Sequence, residues 1–177
     1  MQDSNEMKEY IRPSYFYLFA SAGILLIGIM GAFAAKSIGV FIFLGVIAVL
    51  NSISTITGLS HFNEIIRQAT ENGSIDQIVR EFQSATPFAD GNLRLGSRHV
   101  FGKRSGNILE YGDITKVYQY IHKTNFAEDR RELRVETKDS KVISLCKLSL
   151  RGKSDETLMV ILRVMLSHNP AIKIGYK

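Results

Sequence analysis

The sequence predicts an α+β protein in two parts, a transmembrane helical hairpin followed by a soluble antiparallel β domain that closes with one helix. Three observations carry this expectation. Residues 13–60 hold a single charged side chain, Lys36, whereas the rest of the chain is as charged as an ordinary globular domain. Beyond Asn92, apolar residues recur at every second position, the period of a half-buried strand. After Ser154 the helical period returns once, until Asn169-Pro170 ends it.

Residues 14–35 and 37–59 are uncharged except for their flanks, and each stretch is long enough for a hydrocarbon core that needs about 20 residues. The first exceeds the roughly 7 to 15 apolar residues of a secretory signal, and the second follows almost at once, so both read as spans. Only Lys36 and its small neighbours separate them, which makes a tight antiparallel hairpin with both outer ends on one side. Lys8 and Arg12 precede the first span and Arg67 follows the second. The positive-inside rule then places both termini in the cytoplasm, at the cell membrane. Tyr15 and Tyr17 stand where interfacial aromatics are expected.

Gly28 and Ala32 in the first span, and Ser54 and Gly58 in the second, are spaced to let helix backbones approach closely. Asn51, Thr55 and Gly58 share one face and make the inner half of the second span polar, where an unpaired group is costly. Gly28, Ala32, Asn51, Thr55 and Gly58 are therefore expected to pack the hairpin or join copies of it, with a polar conduit as the competing use. No Asp, Glu, Arg or His lies within either span, so the groups of a proton relay are missing there.

The segment HFNEIIRQATEN continues the second helix, and Gly73 ends it. Ser74, with Gln77 three residues on, reads as a capping box opening SIDQIVREFQSA. The stripe of Ile75, Ile78, Val79 and Phe82 is expected to pack on the following domain, with the membrane surface as the competing setting, and Thr86-Pro87 stops the helix. The expected organisation is thus a tail and hairpin over 1–60, a connector over 61–90 and a soluble domain over 91–177.

NLRLG, SRHVFGKR and NILEY read as short strands, and ITKVYQYIHKT as a longer one. Residues 124–131 read as a polar loop. ELRVETK and KVISLCKLSL form a hairpin about Asp139-Ser140, with Leu133, Val135 and Thr137 facing one way and Arg134, Glu136 and Lys138 the other. The last helix carries Leu158, Ile161, Leu162, Met165 and Leu166 as its buried stripe. Residues 92–170, about 45% of the chain, resemble bacterial pleckstrin-homology-like (PH-like) domains, most clearly in RHVFGKRSGNILEYGDITKVYQY. The layout of two spans and such a domain looks like small bacterial membrane proteins. The resemblance implies an antiparallel barrel or sandwich with the helix across one open end.

P-loop, dinucleotide glycine fingerprint, HExxH, paired cysteines and nucleophile elbow are all missing from the sequence. His61, His99, His122 and His168 are scattered without metal-ligand spacing. The single Cys146, in an alternating apolar stretch, excludes an internal disulfide framework and reads as a small buried hydrophobe. Glu132 and Glu136 read as solvated partners of nearby Arg and Lys. No catalysis, cofactor or metal is expected. Beyond residue 60 there are 19 Lys and Arg against 14 Asp and Glu, a net of +5. This favours anionic lipid or acidic partners and is too small and mixed to argue nucleic acid. Arg94, Arg98, Lys103 and Arg104, with His99, gather on the first two strands and their turn, the region where lipid-binding PH domains hold head groups. They are the expected lipid- or partner-binding residues of a membrane-tethered, non-enzymatic interaction module. The alternative is an accessory or oligomeric subunit of a membrane transport or envelope complex, acting through the polar second span.

Overall fold

The computed structural model describes residues 2–35, 38–124, 127–148 and 154–176. The fold is α+β. Its helices are α1 (Gln2–Ile11), α2 (Phe16–Ala35), α3 (Ile38–Glu71), α4 (Ile75–Ser84) and α5 (Ser154–His168). Its strands are β1 (Thr86–Phe88), β2 (Leu93–Leu95), β3 (His99–Gly102), β4 (Ile108–Glu110), β5 (Ile114–Thr124), β6 (Ala127–Thr137), β7 (Val142–Leu148) and β8 (Lys173–Tyr176). The chain forms two compact units, Pro13–Glu64 on the one hand and Met1–Arg12 with Ile65–Lys177 on the other.

In the unit Pro13–Glu64, α2 and α3 turn most of their large apolar side chains outward. Phe16, Phe19, Leu26, Met30, Phe43 and Leu50 are all exposed. Among the described side chains, what is closed off is narrow: Ser21 and Gly28 on α2, and Ala48, Thr55 and Phe62 on α3, seven residues apart along each helix. That is the spacing of a seam between two helices, and small residues suit close approach. Two polar side chains here are satisfied by their own helix, Ser52 donating to the Ala48 carbonyl at 2.8 Å and Thr57 to that of Ile53 at 2.8 Å. Gly58 lies beside the Pro13 ring. Lys36 and the side chains of Ala32 and Asn51 lie outside the described residues.

In the other unit, β1-β2-β3-β4 form one antiparallel sheet and β7-β6-β5-β8 a second, in which β8 runs parallel to β5. Both sheets and α5 share one core, built from Leu93, Leu95 and Val100 on the first sheet, Val117, Leu133 and Val135 on the second, and Ile161 and Met165 on the helix. Among the described residues the sheets do not join into a closed barrel, because β4 and β5 are parted by a 3₁₀ turn at Tyr111–Asp113 that redirects the chain. The expectation of a barrel therefore gives way to two sheets over a common core.

Three further expectations change, and one is extended. Residues 2–11 are not a free tail: α1 packs against α4, with Met7 and Ile11 fully buried. Most of the polar stretch 124–131 is strand, because β5 and β6 continue as a long hairpin whose cross-strand pairs, His122–Asp129 at 2.7 Å among them, replace apolar contacts. Thr86-Pro87 stops α4 as expected, the helix ending at Ser84, and also begins β1, an edge strand where proline's missing N–H is tolerated. Ser74 makes no side-chain cap on α4; its hydroxyl donates to the Ala69 carbonyl and so closes the end of α3.

Candidate interaction surface

β3 is buried along its whole length because each of its faces meets a different layer. Val100 points into the shared core, while His99 and Phe101 meet α4. Phe82 of α4 packs edge-on to Phe101 at 5.4 Å and to Tyr10 of α1 at 5.2 Å. The basic residues singled out by the sequence all surround this strand, yet they do three different things.

Arg94 is structural. Its guanidinium lies over the Phe82 ring at 4.6 Å and within 5.5 Å of the Tyr10 ring, and it donates to the Phe82 carbonyl at 3.3 Å. Arg98 stands at the start of β3, exposed and 3.6 Å from Glu110. Lys103 and Arg104 occupy the turn after β3, at its opposite end, and both are exposed. A four-residue strand separates the two groups by about 13 Å of rise, so the expected single cluster is divided.

Beneath Arg98 lies a pair that periodicity does not disclose. The buried Glu81 carboxylate of α4 accepts hydrogen bonds from the Arg98 N–H, from the His99 N–H at 2.8 Å and from the His99 Nδ1 at 2.7 Å. Burial works to raise the Glu81 pKa, but these hydrogen bonds outweigh it and hold the carboxyl below its ordinary range. On its other side, His99 Nε2 stands 3.6 Å from Glu110. Gly96 is required here, since a Cβ at that position would collide with Glu81.

Other polar groups that the sequence singled out are occupied within the fold. Glu132 is buried rather than solvated: Arg134 donates to it through Nε and NH2 at 2.9 and 2.7 Å, and Ser144 at 3.2 Å. Its pKa, raised by burial, is brought below the ordinary value by those partners. His168 stacks on Tyr111 at 4.5 Å. Cys146 is buried, and burial pushes its thiol up to about 12, far from a nucleophile's range. Among the described residues no three His, Cys, Asp or Glu side chains converge as metal ligands. An open groove of about 750 Å³ runs beside the β5–β8 pair, with Lys116, Lys138 and Lys173 along it and Glu136 among them.

Neither a family model, nor a curated protein, nor a solved structure matches the chain. The functional reading rests on the molecule itself. Of the sequence-predicted residues, Lys103 and Arg104 remain as neighbouring cations on the surface, Arg98 is tied to an acidic neighbour, and Arg94 belongs to the packing. Gly28 and Thr55 lie in the buried seam positions of the helical unit.

Proposed function

We propose that the protein is a membrane-tethered, non-enzymatic interaction module, in which α2 and α3 cross the cell membrane as a hairpin and a PH-like domain is held at its cytoplasmic face. The observation that carries this reading is the outward apolar surface of α2 and α3. A soluble monomer rarely exposes contiguous apolar patches beyond a few hundred Å², and each Å² left in water forgoes roughly 25 cal/mol. A buried core helix is the other setting for so apolar a sequence, yet the 18-residue apolar window within 42–71 is only 12% buried. The apolar stretch Leu18–Gly31 of α2 is shorter, but the helix as a whole has 20 residues. At about 1.5 Å per residue that gives roughly 30 Å, the thickness of a hydrocarbon core.

The PH-like reading is supported by the order of elements: seven antiparallel strands in two sheets, then one helix packed on their common core. β8, added after the helix, departs from that plan. The cytoplasmic orientation is supported by Lys8, Arg12 and Arg67 flanking the apolar helices against Lys36 alone between them. PH-like folds present side chains to proteins, peptides and lipids alike, so the fold itself names no partner.

Topology is tested with single cysteines at Lys36 and Lys177 in a Cys146→Ser background, exposed to an impermeant thiol reagent in intact cells. Labelling at position 36 alone is expected. Labelling at position 177 overturns the cytoplasmic placement, and release of the chain from membranes by alkaline carbonate overturns the spanning helices.

A further inference from the structure

The turn between β3 and β4 is fastened to the end of α1. The Arg104 N–H donates to the Tyr10 carbonyl at 2.8 Å and the Gly106 N–H to the Ile11 carbonyl at 2.9 Å, so the turn caps two carbonyls that the helix end leaves open. Arg12 follows at once and is exposed, and α2 begins at Phe16. Five residues of fully extended chain reach no more than about 18 Å. By these two bonds the turn that carries Lys103 and Arg104 is fastened to Tyr10 and Ile11, six and five positions before α2 begins.

Two side chains at this turn, Lys103 and Arg104, are open to an outside contact. Lys103 and Arg104 are exposed and have no ion-pair partner among the described residues. Arg104 has a φ of 58°, in the left-handed region that favours glycine. A long cationic side chain therefore stands where the backbone alone selects for none. The flanking acids are Glu9 on α1 and Asp90 on the β1–β2 turn, which the Lys103 N–H bond to Asn92 draws alongside. Against them stand Lys8, Lys103 and Arg104, three cations to two acids, so this end of the domain is net positive.

We infer that Lys103 and Arg104 dock the domain on the phosphate head groups of anionic phospholipids in the leaflet from which α2 emerges. The inference rests on the reading of α2 and α3 as spans. Juxtamembrane cations act on an anionic surface at a strength of about five-fold in occupancy for each residue, so two residues bias the docked state about 25-fold.

The test uses the full chain in lipid nanodiscs with and without phosphatidylglycerol, carrying Cys146→Ser and a single thiol at either Glu9→Cys, beside the turn, or Lys123→Cys, at the far end of the β5–β6 hairpin. The readout is the maleimide labelling rate at position 9 relative to position 123. With phosphatidylglycerol the ratio is expected to fall at least five-fold, and to recover at high salt and in the Lys103→Ala/Arg104→Gly variant. Glycine at 104 suits the left-handed backbone, and circular dichroism verifies that the variant is folded. A chain that does not stay in the disc overturns the membrane reading. A chain that stays, with a ratio unchanged by phosphatidylglycerol or unaltered by the double substitution, overturns the docking inference alone.

Discussion

Glu81→Ala removes a carboxylate that joins α4 to the start of β3 by hydrogen bonds. Three donors lose their acceptor: two backbone N–H groups and the His99 ring. A charge-assisted hydrogen bond contributes about 1.5 kcal/mol, and a buried donor left unpaired costs about 1 to 3. Arg98 is an exposed residue and its bond to Glu81 is only partly buried, so the larger loss is assigned to the two His99 donors, and the sum is about 3 kcal/mol. For a domain of this size that lowers Tm by roughly 10 °C. Glu81→Gln keeps a carbonyl oxygen for the backbone donors and forfeits the charge, so about half that loss is expected. The measurement is thermal unfolding of the full chain in detergent, followed by near-ultraviolet circular dichroism of its tyrosines, since the chain has no tryptophan. A Glu81→Ala protein within about 1 kcal/mol of the parent would refute the claim that this carboxylate holds the two layers together. The pH dependence has a definite sign. A carboxyl held below its unfolded value of 4.5 contributes stability above that value and loses it as pH falls through the folded pKa. The parent should therefore lose more stability than Glu81→Gln as pH drops below about 4.5.

Other consequences are independent of that pair. Ile11→Ala should destabilise the domain by about 2 to 4 kcal/mol in the same assay, because Ile11 is fully buried; a free tail would show no change. Arg94→Lys keeps the charge but loses the planar contact with Phe82, and a loss of about 1 kcal/mol is expected, against none for a surface cation. Tyr111→Phe removes the buried hydroxyl that donates to the Gly96 carbonyl at 3.1 Å, a loss of about 1 kcal/mol by denaturant titration. Cys146 should resist maleimide at pH 8 until the domain unfolds; rapid labelling of the native protein would contradict both its burial and its raised pKa.

The features legible in the sequence are those governed by neighbours along the chain. The bounds of β5 coincide with the stretch ITKVYQYIHKT, and α5 with the Ser154 to His168 stripe, because β-branched alternation and a 3.6 period are local signals. The capping pattern at Ser74 and Gln77 is equally local, but the serine found a better acceptor in the turn of helix behind it. α1 is not legible in the sequence because QDSNEMKEYI is mostly polar, and its two fully buried side chains, Met7 and Ile11, meet partners far along the chain.

The same distinction explains why the basic residues separated. Sequence spacing places Arg94, Arg98, Lys103 and Arg104 within eleven positions, yet β3 is covered on both faces, and a strand in that position sends its flanking cations to opposite ends. A cation beside a strand that carries Phe101 on one face has two outlets: to stack on the aromatic layer, as Arg94 does, or to leave the layer altogether, as Lys103 and Arg104 do. Only the second outlet leaves charge available to a partner. Which outlet each residue takes depends on α1 and α4 closing over β3, and that closure is written in Glu81, Phe82 and Ile11 rather than in the basic residues themselves.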